Sequence, residues 1–215
     1  MIKTKVIGRV FRQDEIADQI YDMWIETELA QGARPGQFVC VYTRNAAALL
    51  PRPISICEVN EEKTMLRLVY RTVGKGTNEF ATYHAGAEIS LLGPLGNGFP
   101  VEKAAGKRVF LIGGGIGIPP MLQLSKEIKK AGQAYCELSV LGYRNELFLN
   151  TDLEKYSQVY VATEDGSTGT KGTVLDAIKE KGLSGDVIFA CGPMPMLRAI
   201  KEYAAANNME AYISL

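Results

Sequence analysis

The first hundred or so residues alternate between short apolar runs and turn signals, a pattern typical of an antiparallel β-barrel. The runs are rich in β-branched and aromatic residues, and turns such as 33–36 and 93–98 contain the Gly and Pro residues that separate strands. Six short strands at this spacing predict a six-stranded Greek-key barrel. We expect strands at 3–10, 20–27, 37–44, 52–60, 65–73 and 88–92, with a short helix at 77–83.

The second half of the chain changes to apolar strands that alternate with helical spacing. Met121, Leu124 and Ile128 fall on one side of a helix expected at 119–131. Strands that alternate with helices predict a parallel sheet. We therefore expect two domains, a barrel over residues 1–103 and an α/β domain over 104–215. The further elements of the second domain are strands at 107–112, 135–142, 158–162, 187–191 and 210–215, and helices at 172–181 and 195–207.

Composition narrows the range of partners. The chain has 24 basic and 24 acidic residues, so no net charge attracts nucleic acid or an anionic membrane. No apolar run reaches the ~18 residues of a membrane span, and no signal peptide is visible. No Cys-x-x-Cys pair occurs, so we expect no metal site in the chain. The chain has four scattered cysteines, Cys40, Cys57, Cys136 and Cys191. We expect them to be reduced thiols, which is typical of a cytoplasmic protein.

The most specific motif is a glycine loop at 113–120, between a buried strand and a helix that begins with proline. Glycines let backbone amides approach a pyrophosphate, and the helix start adds partial positive charge. The position of the third glycine in a Rossmann fingerprint holds Ile118. A plain tight turn is the alternative, but it would not need four glycines in five residues. The loop therefore predicts a nucleotide site.

Two weaker motifs lie in the barrel half. The turn 73–78 predicts a second phosphate site with Thr77 as the helix N-cap, although a capped turn alone explains it equally well. Arg52 can bind a diphosphate with both arms of its guanidinium group. We expect the Ser55 side chain to lie on the same side of the strand as Arg52, where its hydroxyl could hydrogen-bond a ring nitrogen of a cofactor. The alternative is a surface arginine and a satisfied serine.

Taken in order, these motifs resemble the ferredoxin–NADP reductase superfamily over nearly the full length of the chain. Within it, the resemblance is closest to the electron-transfer subunits of type B dihydroorotate dehydrogenases. The segments that carry the resemblance are 52–55, 68–77, 93–99, 113–120, 163–167 and 191–196.

The resemblance implies an FAD-binding barrel, an NAD-binding α/β domain and hydride transfer between the two cofactors. It implies catalytic roles for Ser55, near the reactive flavin nitrogen, and for Cys191, near the nicotinamide. Many members of the superfamily carry tyrosine where this chain has Pro53. The residues implied to bind FAD are Arg52, Pro53, Ile54, Ser55, Val69, Tyr70, Arg71, Gly76 and Thr77. Those implied to bind NAD are Gly114, Gly115, Gly117, Glu164, Cys191 and Gly192.

A partner and a third cofactor are implied as well. The resembled subunits work with a catalytic dehydrogenase subunit in pyrimidine biosynthesis, which implies a hetero-oligomer with two copies of each chain. They also hold a [2Fe-2S] cluster in a cysteine-rich loop after the last strand. This sequence stops at Leu215, and its four scattered cysteines cannot replace that loop. Either the chain is truncated or it works without a cluster of its own.

The nucleotide and the exact reaction stay open at this point. Glu164 and Asp165 would repel a 2′-phosphate, which favours NADH over NADPH, but they are equally typical of a plain turn. Arg144 follows a strand where some members of the superfamily place a 2′-phosphate contact, but a solvated surface arginine explains it at least as well, so it does not establish NADPH as the nucleotide. Other functions that fit the motifs are a subunit of another NAD(P)H-dependent ferredoxin, sulfide or hydrogenase-type oxidoreductase, and a non-catalytic nucleotide-binding regulatory or assembly subunit.

Overall fold

The structure is a computed structural model that describes residues 5–45 and 50–214. The chain divides between Gly98 and Phe99 into two units, each with its own hydrophobic core. The first unit is a closed six-stranded antiparallel barrel and the second contains a six-stranded parallel sheet, so the predicted fold class is confirmed.

The barrel has the strand order β1-β2-β5-β4-β3-β6, and each strand pairs antiparallel with its neighbours. A short 3-10 turn, Glu28–Gly32, follows the second strand, and the only α-helix described in this unit lies between the fifth and sixth strands. The elements are β1 Lys5–Ala17, β2 Ile20–Glu26, β3 Phe38–Tyr42, β4 Arg52–Val59, β5 Met65–Arg71, α1 Lys75–Phe80 and β6 Glu88–Leu95.

Strand β1 is the element that differs most from its prediction. It continues to Ala17, whereas we predicted its end at residue 10. Register shifts occur between Val10 and Arg12 and between Glu15 and Ala17. The first shift leaves Phe11 and Arg12 exposed side by side, which interrupts the alternation that marks a strand in sequence. Predicted strand residues 3 and 4 lie outside the described residues.

The second unit has the strand order β10-β9-β8-β7-β11-β12, and every pair is parallel. The helix predicted at 119–131 has the predicted bounds. The short elements α3 and β10 were not predicted, because segments of four and two residues are too short to show a helical or strand period. Leu215, predicted to end the last strand, lies outside the described residues. The elements are β7 Arg108–Gly114, α2 Pro119–Ala131, β8 Cys136–Tyr143, α3 Asn150–Leu153, β9 Gln158–Thr163, β10 Thr170–Lys171, α4 Val174–Glu180, β11 Val187–Cys191, α5 Met194–Ala206 and β12 Glu210–Ser214.

The parallel pairing places the ends of four neighbouring strands at one edge of this sheet, hereafter the carboxyl edge. Cys191 at the end of β11 pairs with Gly113 of β7, and Tyr143 of β8 pairs with Thr163 of β9. In open α/β sheets, ligands bind beyond the carboxyl ends of the strands. Over residues 5–45 and 50–214, no helix is both long and apolar enough to span a membrane.

Candidate functional site

Strand β4 places two predicted site residues on the outer face of the barrel. The side chains of Ile54 and Ile56 belong to the barrel core, so Pro53 and Ser55 point outward. The expectation that Ser55 shares a side of the strand with Arg52 was wrong. Ser55 is three positions after Arg52, and side chains of a strand alternate between its faces.

Strand β5 divides its three predicted site residues in the same way. Tyr70 points into the barrel core, and its hydroxyl donates a hydrogen bond of 2.8 Å to Gln13 Oε1. Its buried position raises the pKa of the phenol well above the ordinary value. Val69 and Arg71 flank Tyr70 and therefore lie on the outer face. Because Ile56 and Leu68 pair across β4 and β5, the next residues along, Ser55 and Val69, are outward-facing neighbours.

Arg52 lies at the start of β4, and its guanidinium group packs against the first turn of α1. A β-carbon built on Gly76 would come 2.6 Å from Arg52 Nε and 2.9 Å from Cζ, so a side chain there would displace the guanidinium group. The same group donates a hydrogen bond to the carbonyl oxygen of Leu50. The structure thus brings together Arg52 and Gly76, which were assigned to separate motifs in sequence.

Thr77 does not cap helix α1, because the helix begins at Lys75 and its N-cap is Gly74. The Thr77 hydroxyl instead accepts hydrogen bonds from the amides of Val73 at 2.9 Å and Gly74 at 3.2 Å, and donates to the Gly74 carbonyl at 3.1 Å. The hydroxyl is therefore used by its own turn. The amides of Gly76 and Thr77 belong to the first helical turn, where a backbone N–H has no intrahelical acceptor.

This corner of the barrel has the chemistry that a diphosphate requires. First-turn amides carry partial positive charge, and the arginine supplies a full charge with a planar pair of donors. Lys75 is exposed beside them. We call this set, Arg52 with the turn Gly74–Thr77, the phosphate turn.

The glycine loop of the second unit packs closely against the segment after β11. A β-carbon built on Gly117 would come 2.5 Å from the carbonyl carbon of Cys191, and one on Gly114 would come 2.5 Å from Met196 Sδ. Gly115 differs, since it has a φ of 52° and nothing within 4 Å of a built β-carbon. Two of the predicted glycines therefore permit close packing, whereas Gly115 leaves open space beside the backbone.

Cys191 and Gly192 lie directly after the buried end of β11. Cys191 is 9% exposed, and burial raises the pKa of its thiol to about 11. A hydrogen bond with the side chain of Ser214 lowers this pKa but does not offset the effect of burial. The thiol is therefore protonated at neutral pH. Met196 fills the space beside both Gly192 and Gly114. Sequence reasoning missed Met196 as a packing residue, although it lies within the quoted segment 191–196.

Glu164 reaches the same carboxyl edge from β9. Its amide donates to the carbonyl of Tyr143 at 3.1 Å, and its side chain is exposed. Asp165 stabilises its own turn instead, because its carboxylate accepts hydrogen bonds from the Ser167 amide at 3.0 Å and from the Ser167 hydroxyl at 2.7 Å. These bonds lower the pKa of Asp165. Arg144 is exposed after β8.

One polar side chain outside the predicted motifs contacts the end of α1. Gln13, which lies beyond the predicted end of β1, donates to the carbonyls of Phe80 and Tyr83 at the end of α1, and no sequence signal pointed to it. Over the described ranges, no group of three or more His, Cys, Asp or Glu side chains is arranged to hold a metal ion.

Comparison with known proteins places these features in a family context. Residues 111–202 match the model of the oxidoreductase NAD-binding domain. The chain is 42% identical over 219 residues to a protein of Bacillus caldolyticus named dihydroorotate dehydrogenase B (NAD(+)), electron transfer subunit, an alignment that covers 98% of this chain and 84% of that protein. A Bacillus cereus (strain G9842) protein of the same name is 42% identical over 211 residues, with 96% of this chain and 80% of that protein covered.

Solved structures share the fold over almost the whole chain. The structure of an NADH-dependent reduced ferredoxin-NADP oxidoreductase, described in connection with flavin-based electron bifurcation, matches with a TM-score of 0.87 and 29% identity. That match covers 98% of this chain and 76% of the other. A ferredoxin NADP+ reductase from Neisseria gonorrhoeae, with bound FAD and NADP, matches with a TM-score of 0.80, 15% identity and 98% coverage of both chains. The second likeness concerns the fold alone.

Proposed function

We propose a function from one premise: the chain belongs to the family of electron transfer subunits of NAD-dependent dihydroorotate dehydrogenase B. The resemblance predicted from the sequence motifs is thereby confirmed. The protein exchanges electrons between NAD(H) and a bound FAD and serves a catalytic dehydrogenase subunit. The observation that carries this proposal is the contact of Arg52 with Gly76 in the first turn of α1. It supports a diphosphate site in the barrel of a chain whose second unit matches an NAD-binding domain.

The barrel residues fit FAD. Arg52 and the amides of Gly76 and Thr77 would hold the diphosphate, while Pro53, Ser55, Val69 and Arg71 would contact the flavin ring or ribityl chain from the outer face. The Ser55 hydroxyl would donate to a ring nitrogen and so orient the ring. Ile54 and Tyr70 would support the site from the core through their packing. When bound, FAD accepts a hydride from NADH and can release the two electrons singly.

The residues at the carboxyl edge fit a nicotinamide dinucleotide. The open space beside Gly115 would let the pyrophosphate approach the backbone, while Gly114 and Gly117 hold the loop against Cys191 and Gly192. The role that we assign to Cys191 is positional. Its thiol is protonated at neutral pH, and a protonated thiol is a poor nucleophile that would not attack the nicotinamide ring.

We propose NADH rather than NADPH as the nucleotide. The exposed Glu164 carboxylate would accept hydrogen bonds from ribose hydroxyls and would repel a 2′-phosphate. The Asp165 carboxylate holds its own turn, so we assign the discrimination to Glu164. Stopped-flow reduction with equal, subsaturating NADH and NADPH tests this proposal. Faster reduction by NADPH would overturn it.

An absorption spectrum of the purified protein, followed by NADH under argon, tests the proposed function as a whole. We expect flavin absorption bands, in native protein or after incubation with FAD, and their loss when NADH is added. A protein that cannot bind FAD would contradict the proposal and favour a non-catalytic nucleotide-binding subunit. A flavoprotein that transfers no electrons to a dihydroorotate-oxidising subunit would favour another oxidoreductase of the same superfamily.

The remaining parts of the proposal concern the partner and the compartment. We propose a hetero-oligomer with the catalytic subunit, with two copies of each chain, which light scattering of the reconstituted complex would test. A cytoplasmic location suits the four cysteines, none of which forms a disulfide in the described residues. Since the described residues contain no ligand set for the implied [2Fe-2S] cluster, we derive no step through it.

A further inference from the structure

We infer that Gln13 and Tyr70 position the phosphate turn through helix α1, and so set the affinity for the phosphates of the flavin cofactor rather than for its ring. This inference rests on the proposed function of the barrel as an FAD site. Among the described residues assigned to the cofactor, the hydrogen bonds of Gln13 reach only Tyr70, which lies in the barrel core and not against the phosphates. Its effect would pass entirely through the helix.

Gln13 lies at the centre of a hydrogen-bond network that joins three elements of the barrel unit. Its Nε2 donates to the carbonyl of Phe80 at 3.0 Å and to the carbonyl of Tyr83 at 2.9 Å. Its Oε1 accepts from the Tyr70 hydroxyl at 2.8 Å. The acceptor end of the amide is therefore held by Tyr70 on β5, which aims both donors at the C-terminal end of α1.

Aromatic packing follows the same path from the barrel core to the helix. The rings of Tyr70 and Phe80 meet edge to face with centroids 6.2 Å apart, and those of Phe80 and Tyr83 lie 5.9 Å apart. Phe80 and Tyr83 are both almost fully buried. The end of α1 is thus fixed by polar contacts with β1, which is distant in sequence, and by apolar contacts with Tyr70 of β5.

The helix needs such support because it contains only six residues. Helices of this length are unstable by themselves, so their position is set by tertiary contacts. The two ends of α1 have different roles. One end is tied to Gln13, while the other end begins in the phosphate turn, where Gly76 lies against Arg52.

A second set of contacts holds Glu79, the residue before the last one of the helix. Glu79 Oε1 accepts from the amide of Arg44 and from the Tyr83 hydroxyl, both at 2.6 Å, and the Arg44 guanidinium group lies 4.3 Å from the centre of the Tyr83 ring. Because these contacts do not involve Gln13, they should still hold α1 against the barrel when Gln13 is replaced. Loss of Gln13 should therefore shift the helix rather than unfold it.

The test compares Gln13→Ala and Tyr70→Phe with Asn60→Ala as a matched control. The Asn60 side chain also makes two hydrogen bonds with the backbone, since its Oδ1 accepts from the amides of Thr64 and Met65, but it does so in the turn between β4 and β5. Affinities for FAD and for riboflavin, which lacks phosphate, are measured by quenching of flavin fluorescence. Phosphorus NMR of bound FAD reports the surroundings of the diphosphate directly.

For Gln13→Ala we expect FAD to bind about tenfold more weakly, because part of the binding energy must then reposition the phosphate turn, while the affinity for riboflavin changes less than about twofold. Tyr70→Phe should give a smaller loss in the same direction, and both variants should shift the phosphorus resonances. Asn60→Ala should change neither the ratio of affinities nor the resonances.

Four results would overturn the inference or its basis. Equal weakening of FAD and riboflavin by Gln13→Ala would show a general structural role, and unchanged FAD affinity would show no role. If Gln13→Ala does not fold, Tyr70→Phe decides alone, and unchanged phosphorus resonances in that variant would contradict the inference. Wild-type protein that binds no FAD would overturn the proposed function first.

Discussion

The guanidinium group of Arg52 occupies the space that a side chain at Gly76 would need, since a built β-carbon lies 2.6 Å from Arg52 Nε. Arg52 begins strand β4, and Gly76 lies in the first turn of helix α1. A flexible cation is thereby held beside backbone amides that have no intrahelical acceptor. The contact brings two separate motifs together at the site that we propose for the FAD diphosphate, and its consequences can be tested residue by residue.

Replacement of Gly76 by alanine should weaken FAD binding about tenfold without loss of stability. The new methyl group displaces the end of the Arg52 side chain, which is flexible and can move at little cost. Alanine also has a higher helix propensity than glycine. Thermal unfolding and FAD titration measure the two effects. The matched control is Gly74→Ala, because a β-carbon on Gly74 meets nothing within 4 Å. Equal FAD affinities of the two variants would show that the position of the guanidinium group is unimportant.

Removal of the Arg52 side chain should weaken FAD binding more than the Gly76→Ala substitution does. We expect Arg52→Ala to weaken FAD binding by ~1.5–3 kcal/mol, the range for hydrogen bonds to a charged group. FMN has a single phosphate, so wild-type protein should prefer FAD and the variant should lose most of that preference. Arg52→Lys should recover only part of it, because lysine lacks the planar pair of donors.

Titration calorimetry with both flavins measures the change caused by Arg52→Ala. Arg9→Ala, which removes an exposed arginine from β1, serves as the control for net charge. Equal affinity of the wild-type protein for FAD and FMN would contradict a diphosphate site at this position.

In the second unit, Gly117→Ala should lower the free energy of unfolding by about 1–3 kcal/mol, the usual cost of overpacking. The atoms in the way belong to the backbone of Cys191 and Gly192, which cannot rotate aside. Gly115→Asn is the control, because asparagine tolerates a positive φ and its β-carbon would meet no neighbour. Urea unfolding compares the two without any nucleotide present. A Gly117→Ala variant as stable as Gly115→Asn would contradict the close packing.

Glu137 should make the stability of the protein depend on pH. Burial raises its pKa to about 7, and Ser125 donates a hydrogen bond of 3.2 Å to its carboxylate. The folded protein therefore holds the proton more tightly than the unfolded chain does. The resulting stabilisation is complete below a pH of about 4.5 and is lost as the pH rises through about 7.

Glu137→Gln should remove this dependence and stabilise the protein at pH 8 by on the order of 1 kcal/mol, a value reduced for the partial exposure of the group. Urea unfolding at pH 5 and pH 8 measures the slope. Glu202→Gln, on the exposed side of α5, should leave the slope as in the wild type. A slope that persists in Glu137→Gln would assign the effect to another group.

Part of the fold and of the site could be predicted because the signals are local. Helix α2 has the bounds that were expected, since prolines at its start and Gly132 at its end act on the backbone itself. The glycine loop before it was likewise visible in the spacing of its residues. In contrast, β1 was predicted too short because bulges interrupt its alternation, and alternation is the only local signal of a strand face.

The sequence by itself determined the longer strands and helices along the chain, the two fold classes and the candidate residues, because these depend on period, composition and turn chemistry. Only the tertiary structure decided which face each candidate occupies. Residues 66–70 of β5 are all buried, so no pattern along the chain separates Val69 outside the barrel from Tyr70 inside it. Closure of the barrel makes that separation, and it also places Arg52 against Gly76 and Gln13 against the end of α1. Such contacts join residues distant in sequence, whose distances depend on register and packing rather than on local preference.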